Sequence, residues 1–187
     1  FTFYTHNAGL PSLRQAIAEK YHELHHISLQ PESEIVVTAS GVQALNVSIR
    51  CLLDPGDEAM LLTPAWPNAS AIVRLCWAVP REIPLVLDGT RYQIDFEALQ
   101  AAINSRTRML VYTSPSNPLG WVATDRDQER LLELCQRHSL WLLADEVYER
   151  LYYGATVAPS ILRKSERGDA VVVAHSFSKS YCMTGWR

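Results

Sequence analysis

The order of apolar segments predicts an α/β fold: a mostly parallel sheet with helices on both faces, three layers in all. Two observations carry the prediction. Short runs of branched apolar residues alternate along the chain with stretches of helical spacing, the pattern of parallel strands joined by helical crossovers. The residues with the most reactive or turn-forming character then fall just past predicted strands, at the edge where such sheets bind ligands. At 187 residues the chain is long enough for one sizeable core, and residues 1–187 read as a single domain.

The elements follow in order. PSLRQAIAEKYHELHHIS (11–28) places Leu13, Ile17, Tyr21 and Leu24 at helical spacing. EIVVTA (34–39) is short and β-branched, and reads as a strand. GVQALNVSIRCLL (41–53) is a helix stopped by the turn Asp54-Pro55-Gly56-Asp57. EAMLLT (58–63) is a strand, PNASAIVRLCW (67–77) a helix and EIPLV (82–86) a strand. DFEALQAAI (95–103) opens on an aspartate cap and reads as a helix. RMLVYTS (108–114) is a strand running into the loop PSNPLG. TDRDQERLLELCQRH (124–138) is a capped amphipathic helix, LWLLAD (140–145) an apolar strand, and AVVVAHS (170–176) the last strand.

A net charge of −3 and a pI near 6.1 leave no basic footprint for nucleic acid or an anionic membrane surface. No apolar run approaches the roughly 20 residues of a membrane span, and FTFYTHNAGLPSLR lacks the layout of a secretory signal. Cys51, Cys76, Cys135 and Cys182 are widely spaced and form no CxxC pair. They read as buried thiols of a reducing, cytoplasmic setting rather than as metal ligands.

HELHH (22–26) matches the HExxH zinc signature. With Leu13 at zero on a helical wheel, Ile17 and Leu24 fall within roughly 40°, while His22 and His26 fall roughly 180° and 220° away. Both histidines share the polar face with Gln15 and Glu19, so no metal site is expected.

The three lysines are Lys20, Lys164 and Lys179. The first lies in an amphipathic helix and the second in a charged loop, where solvation explains both. Lys179 follows an apolar strand between Ser178 and Ser180. Partial burial would lower its pKa, and a neutral amine attacks carbonyls to form a Schiff base. Ser40-Gly41 closes one predicted strand and opens a helix, so free backbone N–H groups there suit an anion, with Ser176, Ser178 and Arg187 as further ligands. Taken singly, Trp66 reads as a packed aromatic, Asp145 as a helix cap, Asn117-Pro118 as a turn and His175 as a plain strand residue. Together, a Schiff-base lysine, an anion site and a strand-end carboxylate suggest pyridoxal 5'-phosphate, whose ring nitrogen must stay protonated. Asp145 suits that nitrogen, whereas strand alternation points Glu146 elsewhere. Tyr148 and Asn117 suit the phenolic oxygen, and Trp66 the ring face.

SFSKSYCMTGWR, ADEVY, PSNPLG, TASGVQAL, TPAWPN and YTHNAGLPSLRQAIA resemble, over the whole chain and in order, the large domain of fold-type-I pyridoxal-phosphate aminotransferases. The resemblance implies that Lys179 is the Schiff-base residue, with Asp145 and Tyr148 catalytic beside it. It places Ser40, Gly41, Val42, Ser176, Ser178 and Arg187 towards the phosphate, Asn117 and Trp66 on the ring, and Tyr4 on the cofactor of a partner subunit in a homodimer. The implied reaction moves an amino group between an L-amino acid and a 2-oxo acid. The same large domain also serves lyases, decarboxylases and synthases, and non-catalytic sensor domains of transcription regulators. Leu119 stands where the family usually has threonine, and Val42 lacks the hydroxyl often found there. Against the family pattern, an N-terminal segment and a C-terminal small domain are absent, and the chain reads as an excerpt of a longer enzyme.

Overall fold

The computed structural model describes residues 3–186. Five strands form one sheet in the order β2-β1-β5-β6-β7: β1 (Glu58–Thr63), β2 (Val79–Pro84), β5 (Thr107–Thr113), β6 (Trp141–Asp145) and β7 (Val171–Ala174). Every pairing in it is parallel. β3 (Val86–Asp88) and β4 (Arg91–Gln93) form a separate antiparallel hairpin. The helices are α1 (Pro11–His25), α2 (Gly41–Leu52), α3 (Asn68–Leu75), α4 (Phe96–Ala101), α5 (Asp125–His138) and the single turn α6 (Phe177–Ser180).

Because strand side chains alternate, each strand serves two cores. Met60, Leu110, Leu142 and Ala144 face Leu131, Leu134 and Cys135 of α5 and Leu99 of α4. Ala59, Leu61, Met109, Val111 and Leu143 face Leu45 and Ile49 of α2 and Ile72 and Val73 of α3. That is the three-layer α/β fold expected from the alternation.

Several boundaries depart from expectation. EIVVTA is not a strand: Val36 is exposed, and Val37 N–H donates to Ala8 O at 2.9 Å instead of joining the sheet. β-branched residues favour extended backbone, but a strand needs a paired neighbour. Gly9 permits that contact, since at φ +96° a Cβ there would lie 2.6 Å from Val37 Cβ. β2 begins at Val79, ahead of the expected Glu82, and Leu85 separates it from β3. β7 stops at Ala174 because Ser176 turns to cap α6, its Oγ accepting from Ser178 N–H at 3.1 Å. Only part of the cysteine expectation holds: Cys76 and Cys135 are buried, whereas Cys51 and Cys182 are exposed thiols.

Candidate active site

Parallel strands end on one edge, so the segments after β1, β5, β6 and β7 converge there. They carry Trp66, Asn117, Asp145 to Tyr148, and Ser176 to Lys179 respectively. The first turn of α2 completes the group. Gly41 is the contact point: a Cβ there would lie 3.3 Å from both Ser176 Cβ and Val147 Cγ1 and 3.5 Å from His175 O. The absence of a side chain therefore lets the α2 N-terminus press against two strand-end loops at once.

Ser40 is the N-cap of α2, its Oγ accepting from Gln43 N–H at 3.1 Å. Its cap leaves other first-turn N–H groups of α2, those of Gly41 and Val42 included, without an intrahelical acceptor. Beside it, Ser176 and Ser178 stand on the cap of α6. These residues make a donor-rich cradle suited to a phosphate. Arg187, assigned to the same cradle, lies outside the described residues.

Asp145 ends β6 and lines a cleft with Trp66, Thr113 and Ala65. Burial pushes its carboxyl up to about 6, against the opposing hydrogen bond from Val147 N–H at 3.3 Å. No ion pair to Asp145 forms among the described residues. A desolvated carboxyl with one weak donor is a place for a cationic N–H. Trp66 stands at the rim, 58% exposed, with its ring free to cover a flat ligand.

Glu146 lies on the other side, as strand alternation requires. It is buried, accepts from Ile161 N–H at 2.9 Å, and burial pushes its carboxyl up to about 7. Asn117 Nδ2 donates to Tyr148 Oη at 3.2 Å, which joins the β5 and β6 loops. Lys179 Nζ lies 5.8 Å from the Tyr148 ring centroid. The expected partial burial of Lys179 is not found. The residue is exposed, because the single turn of α6 holds it on the open rim.

Tyr4 is fully exposed, on the segment ahead of α1. His22 and His26 are exposed, and α1 ends at His25, with His26 in the left-handed region at φ 60°. The HExxH pair therefore does not share one continuous helix.

Four residues, Lys20, His25, Glu149 and His175, meet directly behind this edge. Lys20 is not solvated and His175 is not a plain strand residue: both lie within 3.0 Å of Glu149 Oε1, and His25 approaches Oε2 at 3.6 Å. The available signal was adjacency, since Glu149 follows Tyr148 and His175 precedes Ser176.

The residues present fit pyridoxal phosphate. They offer a primary amine, a desolvated carboxyl with no ion pair among the described residues, a phenol–amide pair and an anion cradle on one sheet edge.

Known proteins resemble the chain over its whole length. The sequence profile described as "Aminotransferase class I and II" matches residues 1–187. An aspartate aminotransferase of Musicola paradisiaca is 34% identical over 186 residues, covering 100% of this chain and 46% of that protein. A probable aspartate/prephenate aminotransferase of Thermus aquaticus is 37% identical, covering 100% of this chain and 47% of its own length. Among solved structures, an aromatic aminotransferase from Pyrococcus horikoshii superposes with a TM-score of 0.91 at 33% identity, over 100% of this chain and 49% of that one. The chain thus spans about half the length of the curated relatives it matches. Matched from end to end in sequence and in fold, the chain belongs to the class I and II aminotransferases.

Proposed function

We propose that the protein transfers an amino group between an L-amino acid and a 2-oxo acid with pyridoxal 5'-phosphate held at Lys179. The observation that carries this reading is an exposed lysine amine 5.8 Å from the Tyr148 ring, on the same sheet edge as a desolvated Asp145 that has no ion pair among the described residues, with Asn117 joined to Tyr148. When bound, pyridoxal phosphate supplies an electron sink for charge developing at the substrate Cα.

The chain's own residues do the rest. Asp145 holds a proton on the ring nitrogen, its carboxylate gaining a cationic partner there. Asn117 and Tyr148 orient the ring through its phenolic oxygen, and Trp66 covers one face and keeps water from it. Ser40, the Gly41 and Val42 N–H groups, Ser176 and Ser178 bind the phosphate, with Arg187 assigned to the same group. The Lys179 amine anchors the cofactor and, once free, takes the Cα proton as general base. Tyr4 points the same reading towards a homodimer, since its exposed ring suits a partner's site. The names of the relatives make aspartate and aromatic amino acids the first donors to assay.

The test is an absorption spectrum with added pyridoxal phosphate beside Lys179→Ala. Lys20 and Lys164 remain in that variant, so adventitious surface reaction is subtracted. A long-wavelength band confined to the parent, with ping-pong transfer from one of these donors to a 2-oxo acid, is expected. Identical spectra would overturn the assignment of Lys179.

A further inference from the structure

The parallel ladder between β6 and β7 ends at the Asp145–Ala174 pair, with one more bond from Glu146 N–H to Ala174 O at 2.9 Å. Beyond it both chains leave the sheet, one towards Tyr148 and the other towards Lys179. What joins the two segments next is a buried carboxylate. Glu149, directly after Tyr148, is 2% exposed. Its Oε1 lies 2.5 Å from Lys20 Nζ and 3.0 Å from His175 Nε2, and its Oε2 lies 3.6 Å from His25 Nε2. Lys20 Nζ and His175 Nε2 are themselves 3.2 Å apart.

These groups are withdrawn from water: the side chains of Lys20, His25 and His175 are 12%, 0% and 16% exposed. Burial lowers the Lys20 pKa. At Glu149 burial acts to raise the carboxyl, but His175, His25 and Lys20 prevail and hold it well below the ordinary range. A buried ionic cluster gains little stability over apolar packing of the same volume, so its stronger use is in fixing one arrangement. Here the arrangement concerns the site. Lys20 and His25 come from α1, Glu149 from the Tyr148 loop, and His175 from the residue before the Ser176–Lys179 turn.

We infer that Lys20, Glu149 and His175 form a positioning network that sets the Lys179 turn against the Asn117–Tyr148 pair and so governs retention of the cofactor. The inference rests on the pyridoxal-phosphate reading above. None of the three residues needs to touch the cofactor. Glu149 fixes the separation of the two loops where the ladder no longer does, and α1 is the rigid body to which both are referred.

The experiment compares the intact, cofactor-loaded parent with Glu149→Gln, His175→Ala, His175→Gln and Lys179→Ala. Two quantities are read: the dissociation constant for pyridoxal phosphate, by absorbance titration after cofactor removal, and the melting temperature of the cofactor-free protein. Glu149→Gln and His175→Ala should weaken cofactor binding by roughly 10- to 100-fold, the scale of a small misplacement. His175→Gln, whose amide can reach Glu149 in place of the imidazole, should bind close to the parent. Lower melting temperatures with parental dissociation constants would overturn the network, leaving the cluster a structural one. If Glu149→Gln does not fold, the His175 pair decides alone: equal binding by the Ala and Gln variants also overturns it. Parent and Lys179→Ala giving the same titration would instead remove the cofactor reading on which the network rests.

Discussion

Asp145 shows how a single residue can serve the site at the expense of the fold. Burial pushes its carboxyl up to about 6, above the roughly 4 of an unfolded chain. Between those values the folded protein binds more protons than the unfolded one, so stability falls as pH rises through this window. Above pH 6 the full cost remains, on the order of 3 kcal/mol. Asp145→Asn should therefore raise the melting temperature of the cofactor-free protein at pH 8, with the gain fading below about pH 4. The same variant should bind pyridoxal phosphate more weakly. Thermal melts across pH check the first outcome, and a melting temperature unchanged at pH 8 would contradict the cost assigned to Asp145. Lys179 and Asp145 stand out in the sequence because each is a charged side chain at or just beyond the end of an apolar strand. The exposure of Lys179 is not legible there, since it depends on how far α6 projects from the rim.

At the scale of elements, charge also holds the far edge of the sheet together. Glu58, the first residue of β1, is buried and accepts from Arg81 of β2 through both oxygens, at 2.9 and 3.0 Å. Asn104 Nδ2 donates to it at 2.8 Å and Arg106 Nη2 at 2.7 Å, both from the turn that enters β5. Hydrogen bonds from Arg81, then from Asn104, hold its carboxyl down at about 2 despite burial. A depressed carboxylate stabilises the fold above its unfolded pKa of about 4.5 and loses that contribution as pH falls towards 2. Glu58→Gln should melt several degrees below the parent at pH 7, and the gap should close between pH 4.5 and 2. A gap independent of pH would mean that packing, not ion pairing, joins these three strands.

Helix α1 teaches the converse. Leu13, Ile17, Tyr21 and Leu24 predict one apolar face, yet only Tyr21 of them is fully buried, and Leu13, Ile17 and Leu24 are half-buried. The fully buried stripe is Arg14, Ala18, Tyr21 and His25, spaced by four, three and four residues. The helical period holds, and the buried face is rotated from the expected one, sharing Tyr21 with it. Arg14 escapes water because its guanidinium donates to the carbonyls of Pro31 and Glu32, at 3.1 and 3.3 Å, and periodicity contains no such partner. The β3–β4 hairpin was legible and passed over: Asp88-Gly89 between strand-forming residues is a tight-turn signal, and Gly89 has φ +60°.

Across the whole molecule, the sheet couples the core to the site. Leu143, in central β6 and fully buried, belongs to the cluster under α2, the helix whose first turn forms the anion cradle. Leu143→Ala should cost about 2–5 kcal/mol, read as a lower urea midpoint with an unchanged slope. A loss below about 1 kcal/mol would show that α2 settles onto the sheet and fills the space.

By itself the sequence determined the kind and order of most elements, because helical and strand periods are local properties of neighbouring residues. It also determined that reactive side chains follow the strands, since a change from branched apolar to polar residues marks a strand end wherever it lies. Tertiary structure alone decided the strand order β2-β1-β5-β6-β7 and the exclusion of EIVVTA from the sheet, because backbone pairing is made between segments and not within them. It alone brought Lys20 to His175 across 155 residues of chain. Burial and ion pairing are set by what the fold places nearby, and no window of sequence contains both partners.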